Sequence, residues 1–373
     1  MKRRFLMAGL LMGLTGGVLG FGPGLGPGPA LGPAPASASE TFDAERVDFF
    51  IPFKEGGGTD VWARALAPHL SAALPGAPTV VVRNLTGGGI GGSNEWQRRM
   101  APTGEMIFGT SGSVQIPFLL KDPRVRYDYA TWAPVFATPT GGVVYVPSGM
   151  GIEDIAADFA KLNAQELRYG SQGVATLDLV PLLAFELLGL EVEAVFGFTS
   201  RSIARQSIQR NEVTIDYQTS PTYLKHVAPL VEAGEMTPLF SWGALGPDGK
   251  IGRDPSFPDL PSFPEVYEAV HGTAPSGPGW EAWKAFFTAG FGAQKLVVLP
   301  AETDAAVVAL YRDAFSAAMA DPSVREALRP RLGAYEPITG AAVVDAMRDA
   351  TTVPPEAEAW VLDWLRDTYN FTQ

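Results

Sequence analysis

The sequence predicts an α/β protein of two lobes, each a sheet flanked by helices. Three observations carry that prediction. From Val47 onward, short β-branched and aromatic runs alternate with Gly-rich turns and amphipathic helical segments. The same pattern starts again after Val143. Without its first 38 residues the 373-residue chain keeps about 335, room for two domains of roughly 150 residues.

Val47 to Ile51 reads as the first strand, Lys54 to Thr59 as a turn, and Asp60 to Leu74 as a helix. That helix places Trp62, Leu66, Leu70 and Ala73 on one face, and Pro68 should kink it. Thr79 to Val82 is a second strand, followed by a glycine run read as a flexible loop and a helix starting near Ser93. Met106 to Phe108 is a third strand. After the strand Val143 to Val146 come a helix from Ile152 to Leu162, a strand at Leu167 to Tyr169 and an apolar helix from Leu177 to Leu188. Val195 to Phe198, Val213 to Tyr217 and Pro238 to Phe240 read as further strands, and Gly246 to Pro264 as a long loop. Two helices end the chain, Asp304 to Met319 and Pro355 to Tyr369. The C-terminal helices need a sheet to pack on, so lobe one is expected to hold residues 39–142 and 273–373, and lobe two residues 143–272.

The N-terminus indicates export. Lys2, Arg3 and Arg4 precede an apolar run, and Ala36-Ser37-Ala38 offers a signal-peptidase site, so residues 1–38 read as a signal peptide. The Gly/Pro-rich stretch from Phe21 to Pro35 stops the apolar run short of the ~20 residues that span a bilayer. The pair Arg3-Arg4 hints at twin-arginine export, but Phe5 follows directly, which favours general secretion. The chain has no cysteine, which removes disulfides, thiol catalysis and a lipidated cysteine. A net charge of −12 argues against nucleic acid or an anionic membrane as partner. An acidic ligand must then be caught by local dipoles.

Three loops offer such dipoles. Pro52 to Asp60, with Phe53, Gly57, Gly58, Thr59 and Asp60, joins a strand to a helix whose first N–H groups suit a carboxylate or phosphate. Gly109 to Ser113, with Thr110, Ser111 and Ser113, adds hydroxyls and backbone donors. Tyr169 to Thr176, with Ser171, Gln172, Gly173 and Thr176, occupies the matching place in the second unit. Each loop is also readable as an ordinary turn, with Asp60 as an N-cap. Of the cations near turns, Lys54, Arg83, Arg201, Arg205 and Lys225, an arginine could pair a carboxylate bidentately.

Other chemistries fit poorly. Gly87, Gly89 and Gly92 imitate a dinucleotide fingerprint, but Arg83 to Thr86 separate them from the strand core and no acidic residue ends a strand downstream. Gly109 to Ser113 nearly forms a hydrolase elbow, yet Ser113 stands where glycine is required, and His69, His226 and His271 are scattered. The histidines also make no zinc set, so no cofactor, metal or catalytic residue is expected.

Taken together, the loops resemble a known family. Phe50 to Phe53, Gly56 to Asp60, Ala63-Arg64 and Leu66 to Pro68 are similar to the opening of the substrate-binding proteins of tripartite tricarboxylate transporters, the Bug family. The likeness continues through Val81 to Asn84, Gly87 to Gly92, Pro102 to Gly104 and Gly109 to Gly112, and returns at Tyr169 to Ser171 and Ala320 to Arg325. It implies a periplasmic protein of the Venus-flytrap (periplasmic-binding-protein) fold, with two lobes joined by crossing strands, and a monomer is expected. Such a protein holds a carboxylate through backbone amides and hydroxyls of both lobes and delivers it to membrane subunits of a transporter. The sequence departs from the pattern where Ala175 replaces a glycine, Leu179 a histidine, and Phe198-Thr199-Ser200 an aromatic-Lys-Gly run. Arg201 follows, and could replace the missing lysine as a counter-charge. A small organic acid is the expected ligand. The competing role is ligand sensing, with the protein docking on a signalling receptor.

Overall fold

The computed structural model describes residues 42–246 and 249–372, so the expected signal peptide lies outside the described residues. Strand β1 (Arg46–Ile51) alternates as a two-sided strand must: Val47, Phe49 and Ile51 are buried in one cluster and Phe50 in another. Helix α1 (Gly58–Ala73) lays Trp62, Leu66 and Leu70 on the first of these faces. β2 (Thr79–Asn84), α2 (Gly88–Arg99), β3 (Met106–Gly109), α3 (Gly112–Leu119) and β4 (Ala133–Thr138) complete the first run.

The second run contains β5 (Gly142–Pro147), α4 (Phe159–Asn163), β6 (Leu167–Ser171), α5 (Leu179–Leu188), β7 (Val192–Phe196) and α6 (Arg201–Gln209). It continues with β8 (Asp216–Thr219), α7 (Ser220–His226), α8 (Ala228–Glu232) and β9 (Met236–Ser241). A short hairpin follows, β10 (Ala244–Leu245) with β11 (Ile251–Gly252), then α9 (Phe263–His271), which starts on a Ser262–Glu265 capping box. After α10 (Pro278–Phe287) come β12 (Lys295–Leu299), α11 (Ala305–Ala320), α12 (Pro322–Leu332), α13 (Ala342–Ala350) and α14 (Pro355–Tyr369).

The first sheet has the order β2-β1-β3-β12-β4, with β1 parallel to β2 and β3, and β12 antiparallel to both neighbours. It therefore draws strands from both ends of the described chain. A second sheet, β8-β5-β9, is antiparallel, and β6 and β7 form a parallel pair. Sheet one separates two cores. Phe49, Trp62, Phe136 and Phe315 pack on one side, where Phe136 and Phe315 stack with centroids 4.4 Å apart. On the other side Phe50, Trp96 and Phe108 join a larger core that runs through Tyr169, Leu183, Trp242 and Trp283.

Several elements differ from the sequence reading. The run Gly87 to Gly92 is not a flexible loop: Gly88 onward is helix, with Gly87 as N-cap at φ 100°. Its glycines serve close packing, because a Cβ on Gly92 would lie 2.6 Å from Pro52 Cα and one on Gly89 would overlap the Ser113 carbonyl. The strand expected at Val195 to Phe198 begins and ends earlier, and the helix expected from Ile152 covers only Phe159–Asn163. Asp321-Pro322 does stop α11, but it also starts α12, where Asp321 caps the Ser323 N–H at 2.8 Å. Four helices, not two, end the described chain.

Candidate functional site

The β1–α1 loop is held by a carboxylate that faces inward. Asp60, 2% exposed, accepts from the Gly56 N–H at 2.8 Å, from Arg64 Nε at 3.0 Å and from Asn84 Nδ2 at 3.0 Å. Burial would raise its pKa, but the bonds from Arg64, Gly56 and Asn84 outweigh that and hold it below the usual value. Asn84 Nδ2 also donates to the Phe53 carbonyl at 2.8 Å, so the end of β2 fixes the loop. Asp60 is thus an organiser whose oxygens are already used. Gly57 is the N-cap of α1 and brings no side chain to the first-turn N–H groups. Gly58 is exposed, and no side chain stands above it: a Cβ there would meet nothing within 4 Å. The Thr59 hydroxyl has no protein partner among the described residues.

The β3–α3 loop divides its hydroxyls. Thr110 is fully buried, with Oγ1 3.1 Å from the Tyr129 hydroxyl and its N–H bonded to the Leu296 carbonyl at 2.9 Å. Ser111 caps α3 through its backbone, and its hydroxyl, like that of Ser113, has no partner among the described residues. Thr110 is structural; Ser111 and Ser113 remain able to donate.

The β6–α5 loop repeats the first construction. Asp178, fully buried, accepts from the Gln172 N–H at 2.6 Å, as Asp60 does from Gly56, and it too has an arginine partner. The Gly173 N–H donates to Ser171 Oγ at 3.1 Å, and Thr176 Oγ1 donates to the Gly173 carbonyl at 2.7 Å. Thr176 therefore has no proton to offer a ligand, whereas Ser171 keeps its own. Leu177 from this loop fits against Gly112 and Gly290, where any Cβ would crowd its Cδ1 at 2.7 and 2.6 Å. The β3–α3 and β6–α5 loops are in contact there.

Arg201 is committed inside the protein. Nη1 donates to the Gly170 carbonyl at 2.6 Å and lies 3.3 Å from Asp178, while Nη2 donates to Asp216 and to the Tyr217 carbonyl at 3.1 Å. Its guanidinium carbon sits 5.0 and 4.6 Å from the ring centroids of Tyr169 and Tyr217. Burial opposes its charge, but Asp178 and the surrounding rings more than compensate, and its pKa stands above the usual arginine value. Two fully buried aspartates already neutralise it, so the suggestion that it serves as a ligand's counter-charge does not fit its partners. Arg83 is likewise taken, by Asp48 at 2.9 Å.

Sequence reasoning missed Asn84 and Asp178 as organisers. Their signal was positional: each is a short polar residue next to a turn that must be held. Two cavities, of about 330 Å³ beside Arg325 and Tyr335 and about 580 Å³ beside Arg98 and Arg124, include none of the loop residues. The loops remain the better candidate, because unpaired hydroxyls and helix-start N–H groups gather there. Among the described residues, no group of three or more His, Asp or Glu could hold a metal, and no helix is long and apolar enough to cross a membrane.

No protein-family model matches the chain. In sequence it is similar to Protein BugT of Bordetella pertussis, 32% identical over 93 residues, which is 25% of this chain and 28% of BugT. The resemblance to the Bug solute-binding proteins is borne out. The match spans just over a quarter of BugT's length. In fold the chain is similar to MatC from Rhodopseudomonas palustris, solved with bound malate, at a TM-score of 0.58 and 18% identity over 86% of this chain and 98% of that one. It is also similar to an R. palustris protein solved with adipate, at a TM-score of 0.60 and 20% identity over 87% and 96%. The chain therefore has the two-lobed α/β fold of periplasmic binding proteins, with sheets flanked by helices. In open α/β sheets ligands bind outside the carboxyl ends of the strands. All three loops stand at such ends, following β1, β3 and β6.

Proposed function

We propose that the chain is a non-catalytic periplasmic solute-binding protein that captures a small carboxylate-containing ligand and delivers it to the membrane subunits of a tripartite tricarboxylate-type transporter. One observation carries this reading. The β1–α1 and β6–α5 loops share one construction, an inward aspartate tying a backbone amide and an arginine, which leaves the outer donors to a ligand. Thr59, Ser111 and Ser113 on one side and Ser171 on the other are the hydroxyls still able to donate. With the first-turn amides Gly58 and Thr59 they suit an anion. Residues 39–142 and 273–373 form lobe one in this reading, residues 143–272 lobe two, and the protein works as a monomer. The malate and adipate in the two similar structures point to organic acids as the class.

A thermal-shift screen against mono-, di- and tricarboxylates tests it. A ligand at ~100 times its dissociation constant adds about 2.7 kcal/mol of stability, a clear rise in Tm. The ligand recovered afterwards should be chemically unchanged. No shift with any carboxylate, or turnover of one, would end the reading.

A further inference from the structure

Lys295 opens β12, and the topology puts it at the functional edge of sheet one. Because β12 runs antiparallel to β3, its first residue lies at the carboxyl end of β1, β2 and β3. The register confirms the level: Val297 pairs with Gly109, the Leu296 carbonyl accepts from the Thr110 N–H at 2.9 Å, and Lys295 pairs with Thr138. Ser111, with its unpaired hydroxyl, is the next residue of that neighbouring chain.

Alternation gives the face. Val297 and Leu299 belong to the core under α1, whereas Leu296 and Val298 belong to the opposite one, so Lys295 shares the α1 side. On that side Trp62 of α1 stacks on Phe136 with centroids 6.4 Å apart, and Phe136 pairs with Val297. Two residues along β12 from Val297, and one turn back along α1 from Trp62, both reach the same edge. There the first-turn amides of Gly58 and Thr59 add partial positive charge.

Among the described residues no carboxylate offsets this charge. Lys295 Nζ donates to the Gln294 side-chain carbonyl, and among the described residues no ion pair includes Lys295. Lys295 is part-buried, and burial pushes its pKa down to about 8. A desolvated ammonium without a counter-ion costs stability unless something anionic arrives. Elsewhere the protein pairs its buried cation, Arg201, with two aspartates.

We propose that Lys295 supplies the counter-ion for the ligand's carboxylate and selects acids over their neutral isosteres. The inference rests on the reading of the cleft as a carboxylate site and adds the residue that sets its charge specificity. It further implies that the lysine is kept at the expense of the empty protein's stability.

The test uses the full mature chain, with adipate and its uncharged diamide, adipamide, as probes, in calorimetric titrations of wild type, Lys295→Met and Lys295→Arg. Wild type should prefer adipate over adipamide. Lys295→Met should lose at least about tenfold in adipate affinity and most of that preference, and Lys295→Arg should recover part of both. Unliganded Lys295→Met should melt no lower than wild type, because methionine fills the space without a charge. Equal adipate affinity in Lys295→Met, or a lowered Tm of the empty variant, would overturn the proposal and leave the carboxylate reading intact. If wild type bound neither adipate nor any other acid of the screen, both would fall together.

Discussion

The Tyr335 hydroxyl lies 2.6 Å from an Asp254 carboxylate oxygen and 2.6 Å from Ser220 Oγ, so one phenol ties three separate parts of the chain. All of it is packed against Gly141, the last of the three residues between β4 of the first sheet and β5 of the second. A Cβ there would overlap both the carboxylate and the phenol. Gly141→Ala should therefore destabilise the protein by ~1–3 kcal/mol, the usual cost of overpacking. Urea unfolding checks it, and an unchanged midpoint would show that the tie is loose.

The same cluster predicts a pH dependence. Asp254 is fully buried and has no basic partner among the described residues, so burial raises its pKa above the usual aspartate value despite the bonds from Tyr335 and Ser256. A raised carboxyl contributes stability that is fully present below its unfolded pKa and lost as pH rises through the folded one. Asp254→Asn, which cannot ionise, should therefore gain stability relative to wild type as pH increases above the ordinary carboxyl range. Parallel Tm curves for the two proteins would refute the buried, uncompensated carboxylate.

Arg201 separates two accounts of itself. If it is the structural counter-ion of Asp178 and Asp216, Arg201→Met leaves two buried carboxylates unpaired and should cost ~3–5 kcal/mol in unfolding free energy. Arg201→Lys should rescue only part, since one ammonium cannot replace a fork that reaches Gly170, Asp178, Asp216 and Tyr217. An unchanged urea midpoint with lost ligand binding would restore the role that the sequence suggested.

The charge on Lys295 predicts how binding responds to alkali. With the ammonium at about 8 and burial as the cause, adipate meets a charged partner below that pH and must recruit a proton above it. Affinity should be flat on the acid side and then fall, approaching about tenfold per pH unit. Lys295→Met should lack this limb, and calorimetry across the range would show it.

Local pattern made much of this fold legible, and long-range pairing hid the rest. The alternation in Val47 to Ile51 and the helical spacing of Trp62, Leu66 and Leu70 are visible in a short window. β4 escaped notice because Pro134 sits inside it, and β12 because Lys295 to Leu299 is a short apolar run beside Pro300. These two strands pair across more than 150 residues of chain, and Lys295 was missed with them. The loops were found from their glycines and their place after strands. Which hydroxyls were free was not readable, because Thr110 is engaged by Tyr129 and Thr176 by Gly173 only once the chain is folded.

That division of hydroxyls sharpens the expectation of closure. If both lobes grip one acid, Thr59→Val and Ser111→Ala on one side and Ser171→Ala on the other should each weaken binding by ~1.5–3 kcal/mol, the range for a hydrogen bond to a charged group. Thr176→Val removes no free donor and should act only by loosening the loop. Gly57→Val should block close backbone approach: its φ of −70° accepts a side chain, and the Cβ would meet only the Lys54 carbonyl at 3.2 Å. Stability should then fall by no more than the ~1 kcal/mol of a poor N-cap while binding is lost. If neither lobe alone offers enough donors to offset desolvation of a carboxylate, the bound state brings both together. Small-angle scattering should give a smaller radius of gyration with the acid than without. An acid held wholly by one set of hydroxyls, with no compaction, would overturn the two-lobed grip even if the protein proved to bind carboxylates.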